Sequence, residues 1–187
     1  WVFMTNHVHL LATPREEGAI SRLMQCVGRQ YVRYFNNVYQ RSGTLWEGRF
    51  KSCVVDTEAY LILCQRYIEQ NPVRAGMVSD PAEYPWSSYR SNGLGKASRL
   101  WKPHEVYLRL GRSRGERLAS YRALFSAHMD DVALETIRAA TQKGLALGSD
   151  RFKTHVAALT GRRVTPRKRG PNKHDDGRDV EAEEFLL

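Results

Sequence analysis

No stretch of this chain approaches the ~18–20 consecutive apolar residues that a membrane-spanning helix needs, and the first residues lack the basic-then-apolar layout of a signal peptide. A membrane role is therefore not expected. Cysteine is scarce. Cys26, Cys53 and Cys64 show no metal-like pair spacing and leave one thiol unpaired in any disulfide scheme, which argues against a zinc ribbon or a secreted disulfide framework and for a reduced, cytosolic setting. All three are read as small core hydrophobes. Acidic residues are in deficit, 20 Asp and Glu against 29 Lys and Arg, and the resulting net charge of +9 suits a polyanionic partner, nucleic acid first, better than an acidic small molecule.

At 187 residues the chain is long enough for one ordinary core with a small appendage. Because it begins with Trp inside an apparent strand, a preceding segment is expected. Val2 to Ala12 reads as one inner strand, closed by Thr13-Pro14. From Ala19 to Tyr39 the apolar positions Ile20, Leu23, Met24, Val27, Tyr31, Phe35 and Val38 keep helical spacing, while Arg22, Arg29 and Arg33 form a basic stripe on the opposite face. A loop follows, then a strand over Arg49 to Val55. A helix capped by Asp56 or Thr57 runs to about Asn71, where Pro72 halts it. The turn-rich residues 73–103 are expected at the edge of the core. Three short helices are expected over Arg117–Ala127, Val132–Lys143 and Arg151–Leu159. The organisation read from this pattern is a main unit over 1–110, a helical appendage over 111–161 that is a candidate for DNA contact, and a tail over 162–187, basic then acidic and without apolar periodicity.

Two histidines stand on alternate positions in Asn6-His7-Val8-His9-Leu10-Leu11. In extended backbone residues i and i+2 share a face, so both imidazoles can aim at one divalent cation, or stand as two half-exposed histidines on an edge strand. A metal needs further ligands. On the 56–71 helix, Leu61, Cys64 and Ile68 form the core stripe, and Tyr60, Tyr67 and Asn71 border it. Tyr67 and Asn71 are i and i+4, so a phenol lies beside an amide oxygen. Such a phenol can act as a nucleophile next to a metal ligand, although an ordinary core-edge tyrosine fits the same spacing. Tyr60 shares the border but sits farther from Asn71. Arg49 and Lys51 can share a strand face toward phosphates, with Trp46 or Phe50 stacking on an unpaired base. Arg22, Arg29 and Arg33, and the tail residues Arg162, Arg163, Arg167, Lys168 and Arg169, are candidates for extending the phosphate track.

Four blocks in series, NHVHLL at 6–11, SGTLWEGRFKS at 42–52, RYIEQNPVRAG at 66–76 and YPWSSY at 84–89, resemble the REP-associated tyrosine transposases, a branch of the single-tyrosine HUH transposases named for the histidine-hydrophobe-histidine motif. The resemblance covers roughly residues 2–92. It implies an α+β, ferredoxin-like nuclease fold with a central antiparallel sheet and helices on one face, whose first strand and helix precede the sequence at hand. It also implies that His7 and His9 hold the metal, that Tyr67 is the nucleophile and that Asn71 is the third ligand. The metal would be Mg²⁺ or Mn²⁺, since the mixed imidazole and amide set offers neither the closed shell of structural zinc nor the all-oxygen shell magnesium prefers. The expected partners are single-stranded DNA and DNA hairpins, and the expected setting is the bacterial cytoplasm in association with the nucleoid. The expected activity is nicking and rejoining of single-stranded DNA at or near hairpin repeats through a 5′-phosphotyrosine, by a monomer or homodimer. The alternative is a domesticated hairpin-binding protein with little cleavage.

Overall fold

The structure, a computed structural model, describes residues 1–166 apart from the side chains at 58 and 59. It is a mixed helix and strand chain. Two strands, β1 (Val2–Phe3) and β2 (Val8–His9), pair antiparallel, with Val2 opposite His9 and Phe3 opposite Val8. The expected single strand over 2–12 is therefore a tight hairpin. Its turn is closed by the Met4 amide donating to the His7 carbonyl at 2.9 Å. Alternation of apolar residues marks extended backbone but does not reveal a reversal, and here Thr5-Asn6 supplies the turn chemistry.

The helix α1 (Ala19–Val38) has the expected bounds to within a residue, but no residue on it is buried. Leu23, Val27, Tyr31 and Val38 are 44–49% exposed, and Cys26 on the same helix is exposed rather than in the core. Amphipathic spacing specifies a face that favours burial; it does not supply the surface that would cover it. Of the expected strand over Arg49–Val55 only Val54–Val55 is formed, as β3, and it pairs parallel with β4 (Ala146–Leu147). Arg49 and Lys51 lie on irregular backbone and share no strand face. The described strands thus make two separate two-stranded sheets, one of them parallel, where a single antiparallel sheet was expected. Strand pairing is non-local, so the local pattern could not choose the partner.

The helix α2 (Thr57–Glu69) starts after Asp56 as expected, yet the Asp56 carboxylate does not cap it; it accepts from the Ser149 hydroxyl at 3.3 Å. After Gln70 the chain turns into a further short helix, α3 (Asn71–Arg74), with Pro72 in its first turn, where a missing N–H costs nothing. Residues 73–103 enter the core rather than its edge. A 3₁₀ turn at Pro81–Glu83 leads to buried Tyr84, and α4 (Tyr89–Asn92) carries buried Tyr89, Ser91 and Asn92. Tyr84 donates through its hydroxyl to the Phe3 carbonyl at 2.7 Å, and the Phe3 amide donates to the Trp86 carbonyl at 2.9 Å. This segment thereby anchors the histidine hairpin from the side opposite β2.

The remaining helices are α5 (Glu105–Leu108), α6 (Arg114–Ala123), α7 (Asp131–Lys143) and α8 (Asp150–Thr160). Of the helices expected as an appendage, α7 shares the principal core, while Tyr121 of α6 and Val156 of α8 pack in separate clusters. Leu134, Ile137 and Ala140 of α7, with Leu145 and Leu147, pack in one cluster with Val2, Cys64, Tyr67, Ile68 and Tyr84. A second cluster joins Tyr89, Tyr107 and Tyr121. Between the two lies Glu69, fully buried at the end of α2. Its carboxylate accepts from the Ser88 hydroxyl at 2.6 Å, the Asn92 amide at 2.7 Å and the Tyr121 hydroxyl at 2.7 Å. Burial holds the Glu69 carboxyl above its usual range, against the opposing pull of the Ser88 hydrogen bond.

Candidate active site

The hairpin and the end of α2 meet at three rings. His7 and His9 stand with centroids 5.0 Å apart and planes at 87°, and the His9 ring meets the Tyr67 ring edge-on at 5.8 Å. A metal–nitrogen bond of about 2 Å places two imidazoles sharing one ion roughly 4.5–5.5 Å apart between centroids, so the pair fits a common cation. His7 Nδ1 lies 2.7 Å from the Asn6 side-chain oxygen. A carbonyl oxygen only accepts, so Nδ1 carries the hydrogen and Nε2 keeps the lone pair that a metal requires. His9 is pushed down to about 4, first by burial, then by the charges of His7 and Arg74. Its imidazole is therefore neutral at pH 7.

Tyr67 is buried, 8% exposed, on the core-facing border of α2. Asn71 lies one turn on at the start of α3. Its amide nitrogen donates to the Tyr67 carbonyl at 2.8 Å and the Ile68 carbonyl at 3.2 Å. Those two bonds satisfy carbonyls that the helix end leaves open and make Oδ1 the atom of Asn71 left for a cation. The candidate donors His7, His9 and Asn71 include no carboxylate or thiolate. No group of three or more His, Cys, Asp or Glu side chains that could hold a metal occurs among the described residues. Such a set suits a weakly held divalent cation whose remaining ligands are substrate oxygens and water.

Two residues that sequence reasoning missed complete the surroundings of Tyr67. The exposed Arg74 guanidinium lies over the Tyr67 ring at 4.8 Å from its centroid. Arg138 of α7 donates to Glu135, and its charged form is favoured first by that bond and then by the nearby Tyr67 side chain. Arg74 was legible in principle, since it follows Asn71 at helical spacing; reading Pro72 as a stop hid it. Arg138 stands 71 positions beyond Tyr67 with no local mark.

The candidate DNA-contact residues are placed less uniformly. Trp46 packs on α1, its ring 5.9 Å from Tyr31 and its indole nitrogen 3.5 Å from the Gly28 carbonyl, while remaining 40% exposed. Arg22 is engaged by Glu16 and the Glu17 carbonyl, and Arg29 donates to the Gln25 carbonyl at 3.3 Å. Arg29 and Arg33 line a shallow depression with Cys26 and Gln30. Arg162 and Arg163 are exposed beyond α8. Arg167, Lys168 and Arg169 lie outside the described residues. No described helix is long and apolar enough to cross a membrane.

Comparison with known proteins bears on the same segment. Residues 1–71 match the family model for IS200-like transposases, a match that contains His7, His9, Tyr67 and Asn71 and ends before Arg74. No curated protein and no solved structure matches the chain.

Proposed function

We propose that this chain is a transposase-like DNA endonuclease that nicks and rejoins single-stranded DNA at or near hairpin repeats, with Tyr67 as nucleophile and His7, His9 and Asn71 as ligands for Mg²⁺ or Mn²⁺. The observation that carries this reading is the contact of His9 with Tyr67 at 5.8 Å, with His7 beside it at 5.0 Å, since it brings a phenol and a two-imidazole cation site to one point. The similarity of residues 1–71 to IS200-like transposases supports it independently. The finer placement, in a ferredoxin-like HUH fold of the REP-associated kind, rests on the sequence blocks quoted above.

A bound divalent cation would supply positive charge to the non-bridging oxygens of the scissile phosphodiester. The chain's own residues do the rest. His9, neutral at pH 7, keeps a lone pair available. Asn6 fixes the tautomer of His7, and the two carbonyls at the end of α2 fix the Asn71 amide. The Tyr67 oxygen forms a bond to phosphorus as the P–O3′ bond breaks; the phenolic proton leaves to solvent and the departing 3′ oxygen takes one up. The products are a 5′-phosphotyrosine and a free 3′-hydroxyl. Because the phosphoester is conserved, attack by a 3′-hydroxyl reverses the step without ATP, which suits strand transfer rather than degradation.

The test is denaturing electrophoresis of an end-labelled hairpin oligonucleotide incubated with the protein and Mn²⁺. A covalent protein–DNA band lost in Tyr67→Phe and kept in Tyr60→Phe supports the assignment. The reverse pattern moves the nucleophile to Tyr60, and specific hairpin binding with no adduct under any divalent cation leaves a binding protein.

A further inference from the structure

We infer that Ser88 is a positioning residue: its hydroxyl ties the histidine hairpin to the end of α2 and so sets the separation of His7 and His9 from Tyr67 and Asn71. The inference rests on the nuclease reading above and adds to it the contact that holds the two halves of that site in register.

The two halves stand on elements far apart in the chain. His7 and His9 belong to a hairpin with two residues in each strand, an element that is marginal by itself. Tyr67 and Asn71 belong to the junction of α2 and α3. Val2 of β1 packs in the same cluster as Tyr67, but apolar packing is non-directional and does not fix where a strand stops along a helix. Directional bonds do that. Residues 86–88 run along β1: Val2 forms an antiparallel bridge with Ser87, the Phe3 amide donates to the Trp86 carbonyl at 2.9 Å, and the Ser88 amide donates to the Trp1 carbonyl at 2.9 Å. Tyr84 adds a side-chain link, its hydroxyl donating to the Phe3 carbonyl at 2.7 Å.

Ser88 carries this register on to α2. Its hydroxyl oxygen sits between Glu69 Oε1 at 2.6 Å and the Trp1 carbonyl oxygen at 3.1 Å, and its one proton goes to the nearer acceptor. Ser88 is 2% exposed and Glu69 0%, so water does not compete for the bond. Glu69 lies two residues past Tyr67, about 200° round the helix axis. Holding its carboxyl group therefore fixes the rotation of α2 that presents Tyr67 to His9. Asn92 and Tyr121 also donate to Glu69, at 2.7 Å each, but they reach it from α4 and α6 rather than from the segment along β1. They keep the buried knot intact when the Ser88 hydroxyl is removed, and the direct link to the hairpin is what is lost.

The experiment compares wild type, Ser88→Ala, Tyr84→Phe and, as a stability control, Val156→Ala, which weakens the separate cluster of α8. Two quantities are read on each full chain: the single-turnover rate of adduct formation on the labelled hairpin with Mn²⁺, and the nuclear Overhauser cross-peak between the His9 and Tyr67 rings in the absence of metal and DNA. Small misplacements of reacting groups cost up to roughly 10²-fold in rate, and Ser88→Ala should slow the adduct by about tenfold or more, with hairpin affinity unchanged and the cross-peak weakened. Tyr84→Phe should move both readings in the same direction. Val156→Ala should lower the melting temperature and leave both as in the wild type, which separates positioning from general loss of stability. A wild-type rate and cross-peak in Ser88→Ala overturn the inference, and so does a slowed rate with an intact cross-peak. Absence of an adduct from the wild type overturns the nuclease reading instead, while the cross-peak still reports whether Ser88 sets the meeting of the two rings.

Discussion

Replacing Glu69 with glutamine tests the polar knot that fixes the end of α2, two residues past Tyr67 and two before Asn71. The carboxyl group is fully buried and receives three hydrogen bonds, from Ser88 at 2.6 Å, Asn92 at 2.7 Å and Tyr121 at 2.7 Å. In Glu69→Gln the amide oxygen can still accept from Ser88 and Asn92, which both address the same carboxyl oxygen. The amide nitrogen then faces Tyr121, whose phenol must reverse its role or lose its partner. Burial and the neighbouring Glu69 hold that phenol well above its usual range, so it stays a protonated donor through neutral pH. Leaving one buried donor mismatched costs about 1–3 kcal/mol.

The sign of the pH dependence is the sharper test. Burial raises the Glu69 carboxyl, so the folded chain binds a proton there that the unfolded chain has released. The contribution of Glu69 to stability is therefore full below the ordinary carboxylate range and declines as pH rises through its raised value, each tenfold in proton affinity being about 1.4 kcal/mol. Glutamine does not titrate. Urea unfolding should show Glu69→Gln about 1–3 kcal/mol less stable than wild type at pH 5, with the gap narrowing by pH 8. A gap that widens toward pH 8 would refute the reasoning, because it would mean that the fold holds Glu69 as a stabilised anion.

Ile137→Ala should destabilise the protein by about 2–5 kcal/mol in the same assay, since Ile137 is 4% exposed in the cluster that contains Tyr67 and Cys64; a loss near zero would show that α7 is not part of the principal core. Mn²⁺ binding followed by electron paramagnetic resonance should be weaker without DNA than with it, because the three proposed ligands include no carboxylate. As far as His9 is concerned it should persist on acidification until pH nears about 4, where that ring gains its proton; loss of the His9 contribution already near pH 6.5 would contradict the burial of the ring. Hairpin affinity should fall steeply with added salt, linearly on logarithmic axes, as neutralised phosphates release counterions; a flat response would exclude the basic residues from the interface.

The sequence by itself determined the short-range features. Helical spacing located α1 to within a residue, the start of α2 after Asp56 was legible although no side-chain cap forms there, and alternate placement of His7 and His9 put both rings on one side of extended backbone. Neighbours at i and i+4 likewise placed Asn71 beside Tyr67. Each of these depends only on backbone geometry within a turn or two, which local residues dictate. Tertiary structure alone decided the hairpin reversal at Thr5-Asn6, the parallel pairing of Val54–Val55 with Ala146–Leu147, the burial of Glu69, the exposure of the apolar face of α1, and the meeting of His9 with Tyr67. It also set α7, which carries Arg138, against the cluster that contains Tyr67. Pairing and burial join residues far apart in the chain, and their free energies depend on which surfaces are available to meet. A periodic pattern states that a face favours cover, and only the folded chain supplies the surface that covers it.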